Sequence, residues 1–382
     1  MSERKKNILI VCQWPLGGIR TYLKYNYHHF PRDRYNVTLL ACPTIERDTL
    51  TRDMREENID VLWARPVLGY LSLIFWIIKT LLGKKYDLIH SQGFISAINV
   101  SIANRLFRKR HVLTIHGILE KKFLEGKLRW LKTGFIAFAL REVAVFHGVS
   151  KDILDHFESE FPGLRKRGKW IVINNGINVE PFLSAQQNAA IDLRQKLHLD
   201  NETMIFGFFG RFMPQKGFNY IIDAVNMIRV NRSNKYRFVV LAVGSGDMIR
   251  EYKYEIERLG LDHFFEFIPF DPDISKILKG CDFVLMPSIW EAWGLLACEA
   301  LCAGVPLIAS DCIGLREVIK DTPTFVVKPH DPDGLADCMI NAMMDNSARS
   351  RFMEYKLDAA RRFDVRYSAE QLVSLFDECV YA

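Results

Sequence analysis

The sequence alternates between short apolar segments and segments of helical length, and this alternation occurs in both halves of the chain. Apolar, β-branched runs that predict buried strands lie in the first half at 7–13, 36–41, 88–91, 112–115 and 144–149, and in the second half at 204–209, 238–243, 264–268, 283–286, 307–309 and 324–327. Helical stretches separate several of the latter, near 218–230, 247–259, 294–303 and 332–344. Alternating strands and helices favour parallel sheets covered on both faces. The sequence therefore predicts an α/β chain of two doubly wound domains with a cleft between them.

The length of the chain agrees with two domains. A chain of 382 residues exceeds one ordinary core and suits two domains of roughly 150–200 residues. Asn, Gly and Pro occur together in the segment Asn174–Ser184, where they favour turns. We therefore predict a first domain over residues 1–180 and a second that begins at residue 181.

Composition and charge exclude several classes of protein. A hydrophobic share of 49% and a charged share of 25% are those of an ordinary globular protein, which excludes a disordered chain. The net charge of +6 favours anionic partners, and of these we expect phosphates and anionic lipid but no nucleic acid. The eight cysteines include no C-x-x-C pair, and the N-terminus lacks the features of a signal peptide. We expect a cytoplasmic protein whose cysteines are small, reduced core residues.

The segment Val67–Leu82 is mostly apolar, and Lys84 and Lys85 follow it. Its 16 residues fall short of the roughly 20 that a spanning helix needs, and Lys79 interrupts it. Two interpretations stay open: a helix buried against the first sheet, or an amphipathic helix on the inner surface of a membrane.

Two glutamates stand eight residues apart in the segment Ser288–Gly304 (SIWEAWGLLACEALCAG). A helix that begins near Ala292–Leu295 directs unpaired backbone N–H groups and its positive dipole end toward a ligand. Glu291 precedes this helix and can accept hydrogen bonds from sugar hydroxyls. Glu299 lies about one turn inside, among apolar residues, where a carboxylate needs partners that a ribose diol can supply.

Two cations follow the first strand of the second half, in the segment Gly210–Gly217 (GRFMPQKG). Arg211 leaves the carboxyl end of that strand, and Lys216 lies near the start of the next helix. A guanidinium fork and an ammonium point charge can together clamp a diphosphate. By itself the motif is equally consistent with two surface cations in a loop.

Glycine turns and one histidine follow other predicted strands. Gly17 and Gly18 come after the first strand, and Gly244 lies in a glycine turn after residues 240–243; such glycines let backbone N–H groups approach a phosphate. His116, in TIHG, ends another strand at the same sheet edge, where a histidine is either structural or catalytic.

Taken in order, these motifs resemble the family 4 glycosyltransferases (glycosyl transferases group 1), which are retaining enzymes of the GT-B fold. The resemblance spans nearly the whole chain through the motifs GG, TIHG, GVS, INNGIN, GRFMPQKG, VGSG and PSIWEAWGLLACEALCAGVPLIASD. The spacing from Glu291 to Glu299 in that setting is highly specific, whereas the glycine loops are not. The resemblance implies two Rossmann-like domains facing each other across a cleft: an acceptor-binding domain over 1–180 and a donor-binding domain over 181–364. The last helix, 365–382, is expected to cross back onto the first domain.

The resemblance also implies the site residues. The predicted catalytic residues are His116, Glu291, Arg211 and Lys216. The predicted donor-binding residues are Gly17, Gly18, Arg211, Lys216, Gly244, Phe270, Glu291, Ala292, Trp293, Gly294, Leu295 and Glu299. Arg211 and Lys216 would neutralise the leaving diphosphate, and Glu299 would hold the nucleotide ribose. His116 would contact the donor sugar near the anomeric centre, through its ring or its backbone carbonyl.

The implied activity is transfer of a hexose-type sugar from a nucleoside-diphosphate donor to a hydroxyl of a glycan or lipid-linked acceptor. A UDP-sugar is the favoured donor and a GDP-sugar the alternative, and the expected setting is cell-surface polysaccharide or glycolipid synthesis. Retention would follow front-face attack, with leaving-group phosphate oxygens helping to deprotonate the acceptor. No metal or cofactor is expected, because fixed cations and helix dipoles can stabilise the developing diphosphate charge.

The sequence departs from the family pattern in two places. Pro269-Phe270 stands where the family often has a glycine beside the base, and Cys312-Ile313-Gly314 offers one glycine where a pair is common. The first departure leaves recognition of the base open, and the second is interpreted as a loop variation.

Other functions remain as alternatives. A metal-dependent transferase would use D-x-D, but DPD at 271–273 and at 331–333 has a central proline that favours a turn or a helix start. A dehydrogenase would need the fuller glycine fingerprint that the first loop lacks. A sugar-nucleotide epimerase of the same fold and a non-catalytic nucleotide-sugar-binding protein stay open, although the complete set of cations and glutamates argues against the second.

Overall fold

The computed structural model describes residues 4–119, 126, 128–184, 191–231, 236–269, 271 and 273–381. The chain divides into two compact units, one formed by Met1–Gly176 with Val365–Ala382 and the other by Ile177–Asp364. The division after Gly176 falls inside the segment Asn174–Ser184, four residues before the predicted boundary. The acceptor and donor roles of the two units stay predictions.

The described residues of the first unit form a seven-stranded parallel sheet of order β3-β2-β1-β4-β5-β6-β7. Its strands are β1 (Lys6–Cys12), β2 (Tyr35–Ala41), β3 (Asp60–Trp63), β4 (Leu88–Gln92), β5 (Arg110–Ile115), β6 (Val145–Gly148) and β7 (Lys169–Val172). Its helices are α1 (Gly18–His28), α2 (Arg47–Glu56), α3 (Ser72–Gly83), α4 (Phe94–Asn104), α5 (Arg129–Leu140) and α6 (Lys151–Glu160). The strand order reverses direction between β1 and β4, so loops at their carboxyl ends border a crevice typical of ligand sites.

Two strands of this sheet, β3 and β7, were not predicted. Both are edge strands with one neighbour, and their side chains are partly exposed. An edge strand that faces solvent has no continuous apolar run, which is the pattern that identified the central strands.

The described residues of the second unit form a six-stranded parallel sheet of order β10-β9-β8-β11-β12-β13. Its strands are β8 (Met204–Arg211), β9 (Phe238–Ser245), β10 (Phe265–Ile268), β11 (Phe283–Met286), β12 (Leu307–Ser310) and β13 (Phe325–Val327). Its helices are α7 (Glu180–Leu183), α8 (Leu193–Lys196), α9 (Phe218–Asn231), α10 (Ile249–Arg258), α11 (Ser275–Lys279), α12 (Leu295–Ala303), α13 (Leu315–Ile319), α14 (Pro332–Met344) and α15 (Ala348–Phe363). All six strands were predicted, and the order reverses between β8 and β11. Two doubly wound parallel sheets confirm the predicted fold class.

The last helix, α16 (Val365–Tyr381), belongs to the first unit, where it packs against α1. Ser368 Oγ donates a hydrogen bond to Asn26 Oδ1 at 3.0 Å, and Arg34 forms an ion pair with Asp377 at 2.8 Å. The chain therefore returns to its first unit at its C-terminal end.

The apolar segment Val67–Leu82 contains most of α3. One face of this helix is buried, as the first interpretation requires, and the other is exposed, as a helix on a membrane surface requires. Leu73, Ile77 and Leu81 are buried in the core of the first unit, whereas Leu82 is 74% exposed. In the part of the chain that the structure describes, no helix combines the length and apolar character needed to cross a membrane.

A chain of buried polar side chains crosses the first sheet. His147 Nε2 donates to the carbonyl oxygen of Ile173 at 3.0 Å, which leaves its Nδ1 to accept from the Thr114 hydroxyl at 2.9 Å. Thr114 Oγ1 in turn accepts from His90 Nε2 at 2.6 Å, and His90 Nδ1 accepts from the Tyr27 hydroxyl at 2.6 Å. Every group in this chain is satisfied with both imidazoles neutral.

Burial lowers the pKa of four histidines in this unit. The pKa falls to about 3 for His111 and His116 and to about 4 for His147, and it falls well below the usual value for His90. Loss of hydration disfavours the charged imidazolium in each case. As pH decreases, these residues therefore become protonated in the unfolded chain at a higher pH than in the folded one.

We predict that acid destabilises the protein steeply between about pH 6.5 and 4.5. Because the folded pKa values lie below the unfolded one, stability is full above pH 6.5 and falls as pH decreases, by at most about 1.4 kcal/mol per pH unit for each histidine. Urea unfolding across this range measures the slope. His111→Gln, which can keep the contact with Ser91, should make the slope shallower, whereas His263→Gln at an exposed position should not. Equal slopes for wild type and His111→Gln would contradict the prediction.

Candidate active site

The predicted cations of the second unit lie where its sheet reverses order. Arg211 is the last residue of β8, and Lys216 ends a 3-10 turn, Pro214–Lys216, that precedes α9. Arg211 is exposed, and its guanidinium forms no hydrogen bond or ion pair with any described residue. Its guanidinium is therefore available to an anionic ligand.

Lys216 and Glu291 form an ion pair across 75 residues of sequence. Lys216 Nζ lies 2.7 Å from Glu291 Oε1 and 3.0 Å from Oε2, and the hydroxyl of Ser288 donates to Oε1 at 2.7 Å. The Glu291 side chain is buried, and these donors compensate for its lost hydration. The structure thus brings together two residues for which the sequence predicted different ligands, the diphosphate for Lys216 and sugar hydroxyls for Glu291.

The backbone around Glu291 is held by a turn that follows β12. The Glu291 N–H donates to the Ile313 carbonyl at 3.0 Å. Gly314 has φ +77°, and a Cβ at this position would lie 2.1 Å from the Glu291 carbonyl oxygen. Only glycine permits this approach. The single glycine of Cys312-Ile313-Gly314, interpreted from the sequence as a loop variation, therefore positions a predicted site residue.

A second glycine lets the turn that carries Lys216 approach the loop after β11 closely. Gly217 has φ +70°, and a Cβ there would lie 2.0 Å from the Pro287 carbonyl oxygen. Nearby, the Ile289 N–H donates to the Gln215 carbonyl at 2.8 Å, and Gln215 Nε2 donates to the Trp290 carbonyl at 2.9 Å. These contacts place Lys216 beside Glu291.

Helix α12 begins at Leu295, directly after Gly294, and Glu299 lies on its second turn. The first N–H groups of an α-helix have no acceptor within the helix, so the start of α12 presents donors and a positive dipole end. Burial raises the pKa of the Glu299 carboxyl to about 7, and none of the described residues donates a hydrogen bond to it. A carboxylate without a protein partner in such surroundings is typical of a ligand-binding group.

The remaining predicted residues of this unit lie around the same loops. Gly244, near the end of β9, pairs with Gly210 at the end of β8. Ala292 and Leu295 are half-buried, and Trp293 is buried. Phe270 lies outside the described residues.

In the first unit, Gly17 precedes α1, Gly18 is the first residue of that helix, and His116 follows β5. His116 Nε2 donates to Gln92 Oε1 at 2.7 Å, and the ring packs edge-on against Tyr22 at 4.8 Å between centroids. Because the pKa of His116 is about 3, the ring is neutral at pH 7 and is a weak base. The histidine that the sequence left as structural or catalytic is thus a half-buried group whose ring is oriented by Gln92 and Tyr22.

The two DPD segments act as turn and helix-start signals, as interpreted. Asp331 caps α14 by accepting from the Gly334 N–H at 2.9 Å, and Asp271 accepts from the Asp273 N–H at 2.8 Å. No group of three or more His, Cys, Asp or Glu able to hold a metal ion occurs among the described residues.

The predicted core location is found for six cysteines, which are buried, while Cys42 and Cys338 are half-buried.

Several residues that support the site were not predicted from the sequence. Ser288 and Gln92 bond directly to predicted site residues, and Ile313 and Gly314 hold the backbone of one. Only Ser288 had a local signal, its i,i+3 spacing from Glu291. Gln92 and Gly314 reach their partners from other strands, so no sequence spacing indicates them.

Comparison with known proteins gives two family matches along the chain. Residues 16–181 match the family described as Glycosyltransferase Family 4, and residues 190–358 match Glycosyl transferases group 1. An uncharacterized glycosyltransferase of Methanocaldococcus jannaschii is 32% identical over 73% of this chain and 70% of its own. An Escherichia coli UDP-Gal:alpha-D-GlcNAc-diphosphoundecaprenol alpha-1,3-galactosyltransferase is 26% identical over 86% of each chain.

Among solved structures, Anabaena HepE in complex with UDP-glucose is similar in fold. The TM-score is 0.79 at 22% sequence identity, over 97% of this chain and 99% of that one. This agreement shows the GT-B fold.

The unpartnered Glu299 carboxyl predicts a stability penalty at high pH. Its folded pKa of about 7 exceeds the usual 4.5, so ionisation disfavours the folded state, and stability falls as pH rises from 4.5 to 7. Glu299→Gln should therefore raise the free energy of unfolding at pH 8, by at most about 3 kcal/mol, with no such gain at pH 4. Denaturant unfolding at both pH values tests this against Glu354→Gln, an exposed control in the same unit. A Glu299→Gln gain equal at both pH values would show that the carboxyl is not destabilised by burial.

Proposed function

The chain belongs to the family 4 glycosyltransferases, and we propose that it is a retaining hexosyltransferase that uses a UDP-sugar donor. The observation that carries this proposal is the set of side chains at the carboxyl edge of the second sheet. Exposed Arg211 ends β8, the paired Lys216 and Glu291 lie in the loops after β8 and β11, and unpartnered Glu299 lies on α12, which follows Glu291. Together they offer cations to a diphosphate and carboxylates to hydroxyl groups.

The proposed role of Arg211 is to neutralise charge on the leaving diphosphate. Its guanidinium can form two parallel hydrogen bonds to phosphate oxygens without first breaking a protein ion pair. The N–H groups at the start of α12 would add fixed positive charge. Because such preorganised groups stabilise developing negative charge, we propose that the reaction needs no metal ion.

Lys216 and Glu291 are proposed to act as one unit toward the donor. Lys216 has a third N–H that can reach a phosphate oxygen while two bond to Glu291. The orientation of Glu291 then depends on Lys216 and Ser288, so that its carboxylate meets sugar hydroxyls in a fixed geometry. Glu299 would accept hydrogen bonds from the ribose diol, which requires its ionised form and favours donor binding above pH 7.

The identity of the donor nucleotide is supported by the relatives. The Anabaena structure contains UDP-glucose, and the name of the Escherichia coli relative specifies UDP-Gal. The same name specifies a lipid-linked acceptor. We propose a lipid-linked or glycan hydroxyl as acceptor here, with retention by front-face attack assisted by the leaving phosphate.

The test follows nucleoside-diphosphate release from a panel of UDP- and GDP-sugars, with and without lipid-linked and glycan acceptors. We expect acceptor-dependent UDP release that survives EDTA, and an α-linked product from an α-linked donor. Arg211→Ala should lower turnover roughly 100- to 1000-fold, the effect of removing one preorganised charge partner. Arg237→Ala is the matched control, because Arg237 precedes β9 at the opposite edge of the same sheet.

Each other outcome identifies a different function. Loss of activity in EDTA with recovery in Mn²⁺ would indicate a metal-dependent transferase, and a β-linked product would indicate inversion. Conversion of the donor sugar without an acceptor would indicate an epimerase. Donor binding without any turnover would indicate a binding protein.

We also propose that the first unit docks on the inner face of an anionic membrane. Helix α4 packs against both α3 and α5, and the neighbouring surface exposes large apolar side chains: Leu71, Phe75, Leu82, Leu106, Leu128, Trp130, Leu131, Phe135 and Phe138. Arg105 and Arg141 both lie 4.3 Å from the centre of the Phe138 ring. Apolar side chains interleaved with cations are typical of a membrane-surface site.

Co-sedimentation with phosphatidylglycerol-containing vesicles tests docking. Each cation near an anionic surface contributes about 1 kcal/mol, so binding should require anionic lipid and fall as salt rises. Trp130→Ser with Phe135→Ser should weaken binding, as should Arg108→Ser with Lys109→Ser. Leu357→Ser removes an exposed apolar side chain of the second unit and should have no effect. Recovery in the supernatant irrespective of anionic lipid would contradict docking.

A further inference from the structure

A cavity of about 500 Å³ lies in the second unit, at the amino edge of its sheet. Met204 and Phe283, the first residues of β8 and β11, line this cavity together with Pro306, which precedes β12. The candidate active site lies at the carboxyl edge of the same strands. Because β8 has eight residues and a strand rises about 3.3 Å per residue, Arg211 lies about 23 Å along the strand from Met204. The cavity is therefore separate from the candidate active site.

The carboxylates that line the cavity are all bonded within the protein: Asp192, Asp282 and Asp345. Asp282 accepts from Arg194 Nη2 at 2.6 Å and from a backbone N–H at 2.7 Å. Asp345 forms an ion pair with Arg351 at 2.8 Å, and Asp192 caps α8. These bonds occupy the negative charges of the lining.

Two cations of α15 have no carboxylate partner among the described residues. Arg349 lines the cavity, is exposed, and donates to the Cys281 carbonyl oxygen at 3.3 Å. Lys356 is half-buried and forms no hydrogen bond or ion pair with any described residue. It lies seven residues after Arg349, which places both side chains on one face of the helix. Most donors of the Arg349 guanidinium are therefore available to a ligand.

Lys279 adds a third positive charge to this group. Its ammonium donates to uncharged oxygen atoms at 2.7, 3.0 and 3.4 Å, so it supplies charge to the cavity and no unused N–H. Burial lowers the pKa of Lys279, and Lys356 lowers it further, although Asp273 acts in the opposite direction. Burial also lowers the pKa of Lys356, and Arg349 adds to that effect. The three cations are thus close enough to repel one another.

A phosphate group matches this arrangement of charge. A phosphate monoester carries roughly −1.5 to −2 charges near pH 7, more than a carboxylate, and can offset the repulsion between several cations. The guanidinium of Arg349 can donate two parallel hydrogen bonds to phosphate oxygens. The apolar part of the lining, which includes Leu193, Met204 and Phe283, leaves room for an organic group attached to the phosphate.

We propose that this cavity binds a phosphate group, either inorganic phosphate or a small phosphate ester, as a second anion site of the protein. Arg349 holds the phosphate oxygens, and Lys279 and Lys356 supply the positive potential that attracts them. The site lies at the opposite edge of the sheet from Arg211, so both can be occupied at once. It is inferred without reference to the glycosyl transfer proposed above.

Isothermal titration calorimetry on the full chain at low ionic strength tests the site, with inorganic phosphate and glucose 6-phosphate as probes. At least one probe should bind, and Arg349→Gln should weaken its binding at least tenfold. The glutamine can still donate to the Cys281 carbonyl, so this change removes the charge and keeps the local contact. Arg361→Gln is the matched control, because Arg361 is an exposed arginine of the same helix that pairs with Asp358.

The two probes distinguish the sources of the phosphate. Tighter binding of glucose 6-phosphate would support an ester whose organic group fills the cavity. Equal affinities that both depend on Arg349 would support inorganic phosphate as the ligand. In either case Lys356→Gln should weaken binding at least threefold, and binding should fall as salt rises.

Arg211→Ala provides a second comparison, because Arg211 can also bind phosphate. The binding that depends on Arg349 should be unchanged in this variant. The proposal would be overturned if neither probe bound, if Arg349→Gln and Lys356→Gln left binding unchanged, or if Arg211→Ala alone abolished it. Absence of nucleotide release with every donor and acceptor would overturn the proposed function and would not affect this result.

Discussion

The ion pair of Lys216 with the buried Glu291 carboxylate determines the arrangement of the carboxyl edge of the second sheet. It joins the loop after β8 to the loop after β11, and Glu291 is also bonded through its backbone to the turn after β12. Loss of Lys216 would leave the buried Glu291 carboxylate without its charge partner, which destabilises the folded state. The loops after β8, β11 and β12, which follow adjacent strands, are therefore held together in one conformation. This coupling holds Lys216 and Glu291 together just before α9 and α12 begin.

The polar groups along the two sheets differ in charge. The second uses full charges, with an ion pair beside an unpartnered cation and an unpartnered carboxyl. The first uses neutral groups, since its buried histidines are satisfied by hydroxyl, amide and carbonyl partners without protonation. A charged edge suits a diphosphate, which agrees with the donor role predicted for the second unit.

Glu299 and His116 show that both edges retain hydrogen-bonding capacity that the protein does not use. The Glu299 carboxyl is costly to bury without a partner, and the neutral His116 nitrogen has an unused lone pair. Both residues are half-buried, and neither the Glu299 oxygens nor His116 Nδ1 is sealed from solvent, so each can still bond to a ligand. Their retention at the switch points of two sheets is expected if ligands complete them.

The sequence by itself determined the central strands, the fold class and the glutamates and cations of the second unit. Strands buried on both faces must be apolar throughout, and the residues that bind phosphate and hydroxyl groups are chemically conspicuous when they follow such strands. Edge strands β3 and β7 lacked that signal because one side of each faces solvent. The tertiary structure alone decided that Lys216 pairs with Glu291, that Gln92 sets the proton of His116, and that Gly314 positions Glu291. These contacts join residues that are far apart in sequence, and their geometry depends on strand order and loop conformation, which residue spacing does not encode.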